Sequence, residues 1–294
     1  MKNFVFRSAT ALLLAAGLAA CNTPAASTPT AAQGVEIQQI RNATLKIDYN
    51  GKTFLIDPML AKKGAYPGFP GTYRSELRNP LIELPMPAEE VMKADAVIVT
   101  HTHLDHWDDA AQSLLPKNMP IFAQHEADAQ LIRSQGFTNV RVYGDNTEFG
   151  GVRISRTGGQ HGTDAMYQVK PLADLLGEAS GIVFQAPGHK TVYLVGDTIW
   201  RPEVDAALAT FKPDVIILNT GYAKVDGFDN DSIIMGKDDV ARAYRAAPDA
   251  VIITTHMDAV NHAALSRAQL RDYVKEKGLQ NRVLVPADGQ SYRF

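Results

Sequence analysis

Four short strand-like segments of this 294-residue chain each lead to a histidine or an aspartate within a few residues, and that pattern restricts the folds open to it. AVIVT (96–100) leads into His101, Thr102, His103, Leu104, Asp105 and His106. GVRISRT (151–157) leads to His161, TVYLVG (191–196) ends at Asp197, and VIITT (251–255) ends at His256. Short runs rich in Val, Ile and Thr read as strands. If these strands share one sheet edge, or two facing edges, their terminal side chains converge on one spot. Open α/β folds commonly build sites at the carboxyl ends of strands. Three of the chain's eight histidines crowd into residues 101–106, where a solvated loop has no need of them and a core would be damaged by them.

The spacing of that cluster has its own logic. In extended chain His101, His103 and Asp105 point the same way, because side chains repeat every two residues. A helix beginning near Leu104 would project Asp105 and His106 from its first turn. Such a cluster can serve two metal ions side by side. Every candidate donor is nitrogen or oxygen, which suits zinc, manganese or iron and excludes a thiolate site.

The remaining sequence reads as one mixed α/β domain over residues 35–294, with helices covering sheets. Asn50-Gly51 is a hairpin signal between two strand-like segments, and GIVFQAPGHKTVYLVGD (181–197) reads as a second hairpin turning near Pro187-Gly188. Further strand candidates are 120–124, 140–144, 215–219 and 282–286. Helical patterns cover 126–136, 238–247 and 265–278. In the last of these Ser266 and Gln269 form a capping box, Leu265 and Leu270 a hydrophobic staple, and Gly278 a stop. Residues 61–90 and 158–180 read as long structured loops, which in compact domains are often binding elements.

The first residues lie apart from that domain. Lys2 and Arg7 precede ALLLAAGLAA (11–20), an apolar stretch too short to span a bilayer as a stable helix. Leu18-Ala19-Ala20-Cys21 looks like a bacterial lipobox around the only cysteine. The expected organisation is a lipoprotein signal peptide (1–20), a lipidated Cys21 with a flexible tether (21–34), and the α/β domain. The product would be exported and lipid-anchored to a bacterial membrane, facing the periplasm. A net charge of −3 with no basic run gives no indication of a nucleic-acid partner.

H-x-H-x-D-H, a distant His, an Asp in Gly196-Asp197-Thr198 and a last His resemble, in that order, the metallo-β-lactamase superfamily. LIDP (55–58) and HMDAVNH (256–262) are similar to its ascorbate-6-phosphate lactonase-like and N-acyl phosphatidylethanolamine phospholipase D-like branch. The resemblance implies an αββα sandwich of two mixed β-sheets flanked by helices. It also implies a dinuclear centre: His101, His103 and His161 on one metal, Asp105, His106 and His256 on the other, and Asp197 bridging. The metals would be two divalent ions, Zn2+ first, with Mn2+ or Fe2+ as alternatives.

The implied activity is hydrolysis of a small ester, lactone or phosphodiester by a metal-bridging hydroxide. Two divalent ions, two carboxylates and that hydroxide leave a net charge of about +1, which favours a small-molecule substrate that is anionic or forms an oxyanion. The alternatives are a phospholipid-directed phosphodiesterase and a non-catalytic metal-binding envelope lipoprotein. β-Lactamase activity itself is set aside, because the resemblance lies with another branch, and amidohydrolase barrels lack the DH after HxH. Asp105 and His262 are the catalytic candidates beyond simple ligation. Asp57 could orient a ligand imidazole, and Asp258, Asn261, Asn219 and Tyr222 are candidates to line the pocket. His125 and His189 read as structural, one starting a helix and the other in a hairpin turn.

Overall fold

The computed structural model describes residues 1–2 and 34–294. Cys21, residues 3–20 of the signal segment and all but the last residue of the expected tether fall outside the described residues. Among the described residues no helix is long and apolar enough to cross a membrane.

The first half of the domain runs β1 (Glu36–Arg41), β2 (Thr44–Tyr49), β3 (Lys52–Ile56), α1 (Ala88–Val91), β4 (Ala96–Val99), α2 (Asp109–Leu114), β5 (Ile121–Ala123), α3 (Glu126–Ser134) and β6 (Val140–Val142). The second half runs β7 (Thr147–Phe149), β8 (Val152–Thr157), α4 (Asp164–Tyr167), α5 (Lys170–Leu176), β9 (Gly181–Gln185), β10 (Val192–Leu194), α6 (Pro202–Phe211), β11 (Val215–Asn219), α7 (Lys237–Ala246), β12 (Val251–Thr255), α8 (Arg267–Glu276) and β13 (Val283–Leu284). A last strand, β14 (Ser291–Arg293), follows. The sheets are ordered β14-β1-β2-β3-β4-β5-β6 and β13-β12-β11-β10-β9-β8-β7. Each half follows one plan: an antiparallel meander first, then parallel strands linked by helices. β14 returns to the first sheet and pairs antiparallel with β1.

Side-chain alternation sorts the apolar residues into layers. In β4, Ala96 and Ile98 enter the core between the sheets, where Ile56 and Phe122 meet Ile182, Val215 and Ile217 of the other sheet. Val97 and Val99 point the other way, into a layer with Trp107, Ala111, Ala129 and Ile132. On the far side Ile216, Leu218 and Ile252 pack against Val204, Val240, Leu270 and Val274 of α6, α7 and α8. The central strands are covered on both faces, so all residues of β4, β5 and β11 are buried and their sequences are apolar up to Asn219 at the end of β11. The architecture is the expected αββα sandwich.

Both hairpins form as the sequence indicates. Asn50 and Gly51 take positive φ values of 51° and 70° between Tyr49 and Lys52, as a type I′ turn requires. The first strand-like segment is, however, two strands, because Asn42 (φ 54°) turns the chain between β1 and β2. Ser266 and Gln269 cap α8 reciprocally, Leu265 and Leu270 share one cluster, and Gly278 ends the helix region at φ 68°.

Two expectations need correction. No helix starts near Leu104: the amides of His106 and Trp107 donate to the His103 carbonyl at 2.9 and 2.8 Å, closing a turn, and α2 begins only at Asp109, capped by Asp108. Residues 158–180 are not wholly loop, since they carry α4 and α5.

Candidate metal centre

The C-terminal ends of β3 and β4 in one sheet, and of β8, β10, β11 and β12 in the other, deliver their next residues to one edge of the sandwich. His101, His103, Asp105 and His106 follow β4, His161 follows β8, Asp197 follows β10 and His256 follows β12. The Gly196 backbone (φ 79°) makes the turn into Asp197, and a Cβ there would sit 2.4 Å from the Ser180 carbonyl oxygen, so only glycine fits. All seven expected side chains come together. One oxygen, Asp197 Oδ2, lies 3.1 Å from His106 Nε2, 3.4 Å from His256 Nε2, 3.5 Å from His161 Nε2 and 4.0 Å from His101 Nε2. Asp105 Oδ2 lies 3.3 Å from His256 Nε2.

Partners outside the cluster fix which nitrogen of each ring faces inward. His106 Nδ1–H donates to Asp57 Oδ2 at 2.9 Å. Thr100 donates to both Asp57 oxygens, through its amide and its hydroxyl, each at 2.7 Å. Its Oγ1 is thereby left to accept from His101 Nδ1–H at 3.1 Å. One buried carboxylate thus orients two imidazoles, each with Nε2 turned inward. His103 is reversed: its Nε2–H donates to the Leu175 carbonyl at 2.7 Å, leaving the Nδ1 lone pair inward.

This donor set fits a cation. The inward lone pairs of His101 Nε2 and His103 Nδ1 face each other at 2.9 Å, and His106 Nε2 faces His256 Nε2 at 3.1 Å. Both ring nitrogens of His161 are buried and have no hydrogen-bond partner among the described residues. Lone pairs held together, with two carboxylates among them, are relieved by a positive ion. Three groups can offer one atom each within 4.8 Å of one another: His101, His103 and His161; His101, His106 and Asp197; Asp105, His106 and His256.

The electrostatics agree. Burial pushes the Asp105 and Asp197 carboxyls up, but the surrounding histidines outweigh it and hold both well below the usual carboxylate range. His256 reaches about 9, because Asp197 and Asp105 overcome the burial that opposes its charge. Burial pushes His161 down to about 3 and His262 to about 4. The two carboxylates thus favour charge on His256, whereas at His161 and His262 they do not offset burial.

Other candidates divide clearly. Asn219 Nδ2 donates to Asp197 Oδ1 at 2.6 Å, so it holds the central carboxylate and does not line the pocket. Asn261 anchors the 61–90 loop: its Oδ1 accepts from Phe69 N and Asn79 Nδ2, and its Nδ2 donates to Thr72 Oγ1 and the Tyr73 carbonyl. Asp258 accepts from the amide of Arg267 at the start of α8. Tyr222 does not reach the centre; it lines a separate cleft with α7 and α8, because its positive φ (48°) turns the ring away over Gly236. His125 caps α3, and His189 packs on Tyr49 at 5.2 Å. Asn42 is an addition: Nδ2 donates to the Asp105 carbonyl at 3.1 Å, and its own carbonyl accepts from His256 N at 3.0 Å. In the sequence it is marked only as an Asn between two strand-forming runs.

Above the cluster is a cavity of about 280 Å3. Phe69 and Pro70 come from the first long loop, Leu175 and Leu176 from α5, and Leu104, Val225 and Ile233 complete apolar walls. His103, Asp105, His161, Asp197 and His262 form the polar side, and no Lys or Arg among the described residues lines it.

Residues 52–257 match the family described as the beta-lactamase superfamily domain. UPF0173 protein YddR of Bacillus subtilis is 46% identical over 261 residues, covering 88% of this chain and 100% of its own. A UPF0173 metal-dependent hydrolase of Archaeoglobus fulgidus is 28% identical over 210 residues, 71% of this chain and 86% of its own. The crystal structure of isothiocyanate hydrolase from Delia radicum gut bacteria shares 50% identity with a TM-score of 0.86, covering 88% of this chain and 99% of that one.

Removing the outer support should weaken the centre without emptying the fold. Asp57→Asn keeps the shape but removes the charge that holds His106 Nδ1–H. Metal affinity, measured by competition with a chelating dye, is expected to fall by about 10- to 100-fold. Unchanged affinity would show that Asp57 only ends β3.

Proposed function

The chain belongs to the beta-lactamase superfamily domain family and to its UPF0173 group of metal-dependent hydrolases, and from that premise we propose that it hydrolyses a small uncharged electrophile of the isothiocyanate type, R–N=C=S. The cavity carries this reading. Its apolar walls suit a neutral R group, and its size suits a small molecule. A phosphodiester or a carboxylate would shed its hydration there with compensation from the metal side alone, since no Lys or Arg among the described residues lines the cavity. The expectation of an anionic or oxyanion-forming substrate therefore narrows to one that is neutral when it enters and becomes negative only as it reacts. Similarity to the isothiocyanate hydrolase, at 50% identity over nearly all of that protein, supports the same substrate class.

In this reading His101, His103 and His161 hold one divalent ion and Asp105, His106 and His256 a second, with Asp197 between them. Zn2+ suits the donors best, with Mn2+ or Fe2+ as alternatives. When bound, such ions lower the pKa of coordinated water to about 7 and polarise an electrophile. The chain's own side chains give this chemistry its direction. Asp57 and Thr100 hold two rings in one orientation, Asn219 and Asn42 fix the carboxylates, and the apolar walls exclude competing water around R. Water adds across the C=N bond, and the adduct breaks to an amine R–NH2 and carbonyl sulfide. A small neutral ester or lactone is a second reading, favoured by the same uncharged lining.

Turnover by the metal-loaded protein should be measured on a panel of isothiocyanates, esters, lactones and bis-aryl phosphodiesters. Isothiocyanates are expected to be cleaved, with activity lost in Asp197→Ala and after chelation, and restored by metal. Cleavage of the phosphodiester alone would overturn the reading. An envelope location rests on the sequence of residues 1–21 only: Lys2 and Arg7, the apolar stretch, and Leu18-Ala19-Ala20-Cys21. Radiolabelled palmitate should mark the wild-type chain in a bacterial host and not Cys21→Ser; equal labelling of both, or none, would remove the lipid anchor from the account.

A further inference from the structure

Seven of the eight histidines have an evident role. Five crowd around Asp197 and Asp105, His125 caps α3, and His189 packs on Tyr49. His262 has none of these. It is buried, lines the cavity and, among the described residues, belongs to no group of side chains able to hold a metal. Its ring centre is 6.4 Å from that of His256, and its buried Nδ1 has no hydrogen-bond partner among the described residues.

Its position is nevertheless closely determined. The His262 carbonyl accepts from Lys224 N at 3.0 Å, and the next residue, Ala263, bridges to Ala223. The preceding residue, Asn261, ties down residues 69–79 through its side chain, and Phe69 from that loop stands edge-on to the His262 ring at 5.0 Å and 88°. An imidazole is thus held rigidly in the cavity wall, beside the metal-binding side chains, with no partner for its Nδ1 among the described residues. The other neutral polar group of the lining, Thr72 Oγ1, already donates to the Phe69 carbonyl and accepts from Asn261.

We propose that His262 is the proton-transfer residue of this site, moving protons between the attacking water and the substrate nitrogen. The assignment rests on the isothiocyanate reading above. As the water oxygen bonds to the central carbon, one C=N electron pair moves onto nitrogen. His262 takes the proton lost by the water and gives it to that nitrogen, yielding the thiocarbamic acid R–NH–C(=S)–OH. The hydroxyl proton then passes to nitrogen by the same ring while the C–N pair leaves with nitrogen and oxygen closes C=O. The products are R–NH2 and O=C=S, and the sum consumes one water. Without a proton on nitrogen the leaving group would be an amide anion, which an apolar pocket cannot support.

The test compares wild type with His262→Ala and His262→Gln across alkyl isothiocyanates and aryl isothiocyanates bearing increasingly electron-withdrawing groups. General acid–base catalysis contributes about 10²–10⁴-fold, so kcat should fall by that order for alkyl substrates, with KM changing little. The loss should shrink as the departing amine becomes less basic. Metal content, by mass spectrometry, should match wild type, and added imidazole should restore part of the activity of His262→Ala. A uniform loss across the series, or loss of metal, would make His262 a structural or ligating residue and overturn the proposal. Wild-type rates in both variants would overturn it too while leaving the isothiocyanate reading intact. A wild-type protein inactive on every isothiocyanate, yet active on esters or lactones, would instead overturn the substrate reading.

Discussion

Four imidazole nitrogens lie within 4.0 Å of a single carboxylate oxygen, Asp197 Oδ2, and much of the fold can be read as what is needed to hold them there. The rings come from the ends of β4, β8 and β12, and the carboxylate from the end of β10. Two sheets must therefore face each other in register before the cluster exists. The apolar core between them is the force that aligns them, since it is built from both inner faces. A one-residue slip in β4 would turn Ala96 and Ile98 outward and carry His101 away from the edge.

The centre and the cavity are supported separately. Asp57, Thr100, Asn42 and Asn219 hold the ligand side chains from behind, within the sandwich. The walls come from the segment fastened by Asn261 and from α5. Residues that define the chemistry are thus on rigid strand ends, and residues that define what fits are on loops, so one can vary with little effect on the other. The exception is the hydrogen bond from His103 to the Leu175 carbonyl. It links a ring of the cluster to the same helical turn that walls the cavity, so a change in α5 reaches both.

Much of this was legible in the sequence because the informative residues sit directly after continuous apolar strands, where position along the chain fixes position in space. The Asn50-Gly51 turn and the capping box of α8 were legible for the same local reason. What was hidden depends on distant partners. Asn42 meets Asp105 across 63 positions, and β14 finds β1 across the whole domain. Ser291–Arg293 is too short and polar to read as a strand alone. Tyr222 misled because following a buried strand does not by itself aim a side chain at the site; a left-handed backbone there sends the ring elsewhere. The turn at Leu104–Trp107 resembled a helix start because a closed turn and a first helical turn use the same residues.

In the function proposed above, one edge of the sandwich holds two ions on either side of Asp197. Anomalous scattering from crystals of the metal-loaded protein tests it directly. The account predicts two peaks roughly 3.5–4 Å apart, one against His101, His103 and His161 and the other against Asp105, His106 and His256. A single peak, or one that recruits His262, would contradict it.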